Sequence, residues 1–421
     1  MTIKILFQGQ LHDPSGYGVA SRGYLFSLID YIQQEKLDVN LKIHSIMADS
    51  AHSLSSQEQD ILQSHVFASE LERDEFINAK DYYYIFHHPP PYATKIPECK
   101  LFSQNALKVI CVTVWETDSI PAFWNDIFSE FNVSGIIVPC SWNRDYFMRD
   151  LQNHPTVKDV KMVPHLINDQ FVETGDCTPS PPIKECIKDG MFNCLTVGQW
   201  TDRKNLRATI IAFLMEFADE SDCNLIVKTY GNIQNMDPQF QLRQKMAMAQ
   251  EINRLKEAIN SQSNLVNLER NKVNISFIYN LVSKDDMNYL YRHSDIFALL
   301  SRAEGFGLPI AESLLHSTPV MVHDRGGHVD FVNPDDSFIV STYRTPAFCT
   351  FSLKVYDCES CWYETDLLSA REQLRAAYNK WKETPEDLAT MGTRGREHLL
   401  KLTGNSASLG EEMFNFIIKE E

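Results

Sequence analysis

The stretch from Asp295 to Asp330, DIFALLSRAEGFGLPIAESLLHSTPVMVHDRGGHVD, admits few folds. Its apolar run, Ile296 to Leu300, has the length of a buried strand, and the polar, Gly-rich SRAEGFG behind it ends that element before Pro309 opens a helical pattern. Proline suits the first helical turn, where its missing N–H would be unsatisfied anyway. The pattern predicts a helix to about Ser317, and Pro319 with VMV then begins another strand. This is a βαβ unit. In such units ligands sit beyond the carboxyl end of the strand, where the free N–H groups of the helix start hold an anion. Gly305 and Gly307 let the backbone approach a ligand, and Glu304 and Glu312 bracket the turn with seven residues between them. Taken singly, Glu312 is an ordinary first-turn acid favoured by the helix dipole and Glu304 a solvated loop charge. Taken together at one mouth, both suit the hydroxyls of a bound polyol while the helix start holds phosphate.

The whole string, EGFGLPIAE followed by TPV and a later Gly-Gly, resembles the nucleotide-sugar site of glycosyltransferase family 4 (glycosyl transferases group 1) and its retaining GT-B relatives. That resemblance implies the GT-B fold, two Rossmann-like doubly wound domains facing a central cleft. It also implies a nucleoside-diphosphate sugar donor (UDP-, GDP- or ADP-sugar), retention at the anomeric carbon, and no obligatory metal or other cofactor. A glycan, glycolipid or protein hydroxyl would be the acceptor.

Length agrees with two α/β domains, since 421 residues exceed one ordinary core. Hydrophobic content of 43% and charged content of 23% are those of a soluble globular chain, and no apolar run approaches a membrane span. MTIKILFQG reads as a first strand rather than a signal peptide. Ten scattered cysteines suggest reduced thiols and a cytoplasmic setting. Cys358 and Cys361 form a C-x-x-C without a second pair at zinc spacing, which favours coincidence over a metal site. A net charge of −17 works against a nucleic-acid partner.

In the N-terminal half, IKILF leads into GQLHDPSGYGVASRGYLF, a Gly-rich loop entering a helix from Val19. Such a loop is a weak phosphate cradle by itself. The resemblance gives Gly16, Tyr17 and Gly18 contact with the donor diphosphate and the reacting sugar. Strand-like runs recur at Leu41 to Ile46, Tyr82 to Phe86, Val109 to Val114 and Gly135 to Val138, spaced as in a doubly wound parallel sheet. His87 and His88 follow the second of these in YYYIFHHPPPY, where either orients a sugar hydroxyl or simply serves the loop. Trp115, Glu116 and Asp118 follow the third, an aromatic face beside two acids that suits sugar contact. Many relatives carry a histidine near the position of Glu116, so the chain departs from the family there. VPCSWNRDYF names no chemistry alone.

Between the halves, CTPSPPIKEC (177–186) reads as a linker, dividing a domain of 1–176 from one of 187–404, with the last helix, about 407–419 (domain segment 405–421), packing back on the first. CLTVGQWTDRKNLRATIIAFLMEF then gives a strand ending near Val197, a loop, and a helix with Ile210, Ile211, Phe213, Leu214 and Phe217 apolar. Arg203 and Lys204 stand at the start of that helix, unfavourable for its dipole unless an anion sits between them. The family segment usually reads Gly-Arg and, after four intervening residues, Lys. Gly198 and Lys204 fit this pattern, Gln199 stands where the arginine would be, and Arg203 is expected to supply the guanidinium. The polar stretch 232–272 has helical periodicity around Met246, Ile252, Leu255 and Ile259 and reads as an inserted helix or helical pair, as decoration or as a partner contact. CWYETDLLSAREQLRAAYNKW reads as a helix with Leu367, Leu374 and Tyr378 inward.

Carried onto these residues, the family mechanism gives catalytic work to Glu304, Lys204, Arg203, Glu116 and His88. Donor binding falls to Gly198, Gln199, Arg203, Lys204, Glu304, Gly305, Phe306, Gly307, Leu308 and Glu312, and acceptor contacts to His87, His88, Trp115, Glu116 and Asp118. Two other classes fit part of the pattern, a nucleotide-sugar epimerase of the same architecture and a non-catalytic nucleotide-sugar-binding subunit.

Overall fold

The computed structural model describes residues 2–13, 15–46, 54–169, 177–231, 237–262, 273–279, 281–350, 356 and 358–419. The chain forms two compact units, Met1–Phe171 with Lys401–Glu421, and Val172–Leu400. Each is built on a six-stranded sheet in which every pairing is parallel. Strands covered on both faces need apolar residues on both, and that is why they read in the sequence as continuous apolar runs rather than alternations.

The first sheet comprises β1 (Ile3–Gly9), β2 (Val39–Ser45), β3 (Tyr82–His87), β4 (Lys108–Val112), β5 (Val133–Val138) and β6 (Asp159–Met162), in the order β2-β1-β3-β4-β5-β6. The order reverses between β1 and β3, so loops leaving those two carboxyl ends diverge and open a crevice between them. The helix Gly16–Gln34 covers one face, and the last helix, Ser406–Ile418, packs beside it. Leu409, Met413, Phe414, Phe416 and Ile417 thus enter the same buried cluster as Ile5, Phe7, Leu25 and Leu28.

The second sheet comprises β7 (Phe192–Gln199), β8 (Cys223–Tyr230), β9 (Asn274–Tyr279), β10 (Ile296–Leu299), β11 (Val320–His323) and β12 (Phe338–Val340), in the order β12-β11-β10-β7-β8-β9. Here the reversal falls between β7 and β10. A hairpin of β13 (Thr342–Pro346) and β14 (Cys361–Thr365) stands apart from the sheet.

Several elements differ from the sequence reading. CWYET is strand β14, and the helix behind it begins only at Leu367, capped by Asp366, whose carboxylate accepts from the N–H groups of Leu368 and Ser369. The proline-rich residues 177–186 are not a bare connection. They hold a short helix, Pro181–Lys184, bury Ile183, and dock Ser180 N–H on the Asp286 carboxylate at 2.7 Å, all within the second unit. The βαβ helix is Leu308–Leu315, closing before His316. The 232–272 stretch contains one 25-residue helix, Pro238–Gln262, and its remainder, 232–236 and 263–272, lies outside the described residues. Among the described residues no helix is long and apolar enough to cross a membrane.

Candidate active site

The strand reversal of the second unit determines which loops meet. β7 delivers residues 200–205 and β10 delivers 301–307, so Lys204 and Glu304, a hundred positions apart, come together with Nζ 2.6 Å from Oε1. Ser301 Oγ donates to the same oxygen, and Arg203 Nη1 lies 3.7 Å from Oε2 while donating to the Ala303 carbonyl at 2.8 Å. Glu304 is 5% exposed. Burial alone would raise its pKa, but the charges of Lys204 and Arg203 and the hydrogen bonds from Lys204 and Ser301 prevail and hold it at about 2. It is an anion at any physiological pH. Gln199, in the place of the family's arginine, gives its amide to the Gly231 carbonyl at 3.2 Å, so the guanidinium near Glu304 is that of Arg203.

Behind Glu304 the turn is held by close approach. Gly327 N–H donates to the Glu304 carbonyl at 2.8 Å, and a Cβ on Gly327 would sit 2.1 Å from the Gly305 carbonyl, so the second glycine of GGH is obligatory. Gly307 takes φ 96°, the left-handed region, and launches the helix Leu308–Leu315, with Phe306 buried against Phe331. His328 Nε2 bonds the His323 carbonyl, and His323 Nε2 bonds Thr365 Oγ1. Burial keeps both imidazoles neutral.

Glu312 differs. It sits in the helix, half-buried, and Tyr291 Oη donates to its carboxylate at 2.8 Å. Burial raises its pKa, against the opposing pull of Tyr291, Lys228 and Lys284. Lys228, 5% exposed on β8, has its pKa lowered by burial to about 8, and its amine lies 5.0 Å from the Tyr230 ring centre. Burial raises the Tyr230 phenol, which also feels Arg203, Glu304 and Glu312, so this ring stands among all three charges. Ser301, Tyr291, Lys228 and Tyr230 were not singled out from the sequence. Three lie in apolar or helical runs that look like core, and only Ser301, inside the motif loop, carried a positional hint.

In the first unit, Gly16 begins a helix N-terminus, and the Asp13 carbonyl occupies the space a Cβ on Gly18 would need, 1.9 Å away. Tyr17 and His87 are brought together across the reversal, ring centres 5.3 Å apart, and His87 Nδ1 bonds Ser21 Oγ at 2.6 Å. Burial, with His165 and His88 nearby, drives the His87 pKa well down. Three acceptor-side nominations do not present themselves to a ligand here: His87, 1% exposed, His88 and Trp115. His88 is fully buried, held neutral with a pKa near about 4 by burial and His44. Trp115 is 6% exposed, packs on Trp124 at 4.9 Å, and gives its indole N–H to Thr117. The prolines after His88 do not leave it exposed, since Pro90 and Ala93 are themselves buried in a short helix. Glu116 and Asp118 remain partly exposed, Asp118 lending its carbonyl to Arg149. Among the described residues no cluster of three or more His, Cys, Asp or Glu side chains is placed to hold a metal ion.

Residues 195–348 match the family described as glycosyl transferases group 1. No curated protein sequence matches the chain. Among solved structures, Anabaena Alr3699/HepE in complex with UDP-glucose aligns at TM-score 0.60 and 14% identity over 99% of both chains. A glycosyltransferase from Rickettsia africae ESF-5 aligns at 0.62 and 15% over 100% of both, and trehalose-6-phosphate synthase OtsA at 0.62 and 10% over 100% of both. The fold is GT-B, and the second unit carries a glycosyl transferases group 1 domain. Outside that domain the likeness is one of fold, at 10–15% identity.

Proposed function

We propose that the chain transfers a hexose from a uridine diphosphate donor to an acceptor hydroxyl, with the nucleotide held by the second unit. The observation that carries this reading is the Lys204–Glu304 pair at the strand reversal, a cation and an anion fixed 2.6 Å apart beside a helix N-terminus. Glycosyl transfer with retention separates charge: the diphosphate gains negative charge as the anomeric bond breaks, while the sugar ring becomes oxocarbenium-like. Lys204 has three N–H bonds, so it can keep Glu304 and still reach a phosphate oxygen. Arg203 and the N–H groups at the start of helix Leu308–Leu315 complete the anion site. Glu304, ionised and barely exposed, would accept from sugar hydroxyls as the ring gains positive charge, and Glu312 would hold the ribose. These fixed charges meet the needs of the leaving group, so transfer is expected to persist with chelator present. The acceptor hydroxyl loses its proton to the departing phosphate, and in the first unit the half-buried Tyr17, backed by the buried His87, offers an aromatic face to a sugar.

The uridine assignment is supported by the neighbour HepE, whose structures contain UDP-glucose. A thermal-shift comparison of UDP, GDP and ADP tests it. UDP at a hundred times its Kd should add about 2.7 kcal/mol of stability. Stabilisation by GDP or ADP alone would overturn the base, and conversion of the donor to an isomer without any acceptor would overturn glycosyl transfer itself.

A further inference from the structure

The loops that carry the donor-site charges share one tether. Glu364, on β14, accepts from Arg302 Nε at 2.6 Å through Oε2 and from Asn205 Nδ2 at 2.9 Å through Oε1. Arg302 stands two residues before Glu304, and Asn205 immediately follows Lys204. The same arginine ties the loops in three more ways. Its N–H donates to the Arg203 carbonyl at 2.8 Å, its carbonyl accepts from Tyr363 N–H at 2.9 Å, and its Nη1 donates to the Asp202 carbonyl. Its guanidinium lies 5.6 Å from the Trp362 ring centre, a cation on an aromatic face. Asn205 holds φ 46°, in the left-handed region that asparagine enters more readily than most residues, and its side chain is held there by Glu364.

Apolar packing holds one side of these loops, where Ala303 joins Ala347 and Trp362 in a buried cluster, while a cavity of about 180 Å³ lies against Trp200, Asp202, Asn205 and Arg302 on another. Polar bonds fix the loops on that less filled side. The Arg302 and Glu364 side chains are only 23% and 22% exposed, so their bond is shielded from the screening that makes surface pairs weak.

The geometry points to Glu364 as a positioning residue: through Arg302 and Asn205 it sets where Glu304 and Lys204 meet the donor, without touching the donor itself. This rests on the donor-site reading above. Small displacements of reacting groups cost far more in rate than in binding, because a near-attack geometry tolerates little error.

Glu364→Gln keeps the shape and removes the charge. Its kcat should fall about 10-fold while affinity for the nucleoside diphosphate stays within about twofold. In the ligand-free protein, amide exchange should quicken in 200–205 and 301–305. The double variant with Glu304→Gln should lose less than the product of the two single effects, because part of what Glu364 does is to place that carboxylate. Should Glu364→Gln fail to fold, Arg302→Lys, which keeps the charge but loses the second arm of the fork, is held to the same expectations. Unchanged exchange in both loops, a lowered melting temperature with unaltered kcat, or multiplying effects in the double variant would each overturn the proposal. Exchange is read without donor, so a wild-type chain that binds none of UDP, GDP or ADP fails the donor-site reading and leaves the tether to be judged by exchange alone.

Discussion

The two sheet reversals of this molecule are built from opposite chemistry. That of the second unit gathers Lys204, Arg203, Glu304 and, beyond Tyr230, Lys228 and Glu312. That of the first gathers Tyr17, His87, Ser21 and a neutral His88, all hydrogen-bonding or aromatic groups with their protons settled. On the reading proposed above, the second crevice would meet charge that changes during a reaction, while the first presents neutral rings beside an Arg22 guanidinium already bonded to the Leu11 and Asp13 carbonyls. A shared topology therefore fixes where a ligand goes and leaves open what is done to it.

The strongest way to break this contrast is Lys204→Ala. It should weaken nucleoside diphosphate binding by roughly 30-fold or more, read by calorimetry, since a desolvated charged partner is worth about 2 kcal/mol or more. It should also cost stability, because Glu304 keeps only Arg203 and Ser301 nearby. Unchanged nucleotide affinity would return Lys204 to a purely structural role. Next comes Glu304→Gln, expected to lower kcat about 100-fold with little change in donor KM, the loss typical of one charge-stabilising group. Glu312→Gln, by contrast, should chiefly raise donor KM, by about 5-fold, and Tyr291→Phe should push it the same way by less, since each forfeits about 1 kcal/mol of hydrogen bonding. If both glutamate variants alter only KM, the division between them fails. In the first unit, His87→Phe should leave nucleoside diphosphate affinity within about twofold, and a large loss would erase the contrast.

A separate effect is expected on acid stability. His88 and His165 have folded pKa values lowered by burial to about 4 and about 3 from 6.5, so the unfolded chain binds their protons first. Their stabilising share is complete above pH 6.5 and is lost as the pH falls from there toward the folded values. Glu304 adds a second loss between pH 4.5 and about 2, where its paired carboxylate takes up a proton. Denaturant midpoints across pH 7 to 4 should therefore fall less steeply in His88→Phe than in wild type. Parallel slopes would mean that His88 is not the buried neutral group described.

Much of the fold was legible because both sheets are buried on two faces, and a run such as Cys223–Tyr230 then advertises itself without ambiguity. The donor loop was legible because glycine, proline and glutamate each do something there that few other residues can. What escaped followed from proximity that sequence does not encode. Nothing near Tyr291 announces that its hydroxyl will meet Glu312, twenty-one residues on. The β13–β14 hairpin was hidden because CWYET runs directly into a helical pattern, although Asp366 before Leu-Leu is the cap that separates the two. His88 was misjudged for a different reason: a loop rich in proline is ordinarily exposed, and this one is folded under.

The first unit is assembled from segments on either side of the second, and this orders its formation in time. During synthesis the sheet from Ile3 to Met162 emerges early, yet the cluster that stabilises it lacks Leu409, Met413, Phe414, Phe416 and Ile417 until the whole second unit has been made. The second unit, contiguous from Val172 to Leu400, has all its residues available sooner. A chain cut before Ser406 would keep the second unit whole and leave the first with an apolar groove, open to aggregation and to the cell's quality control.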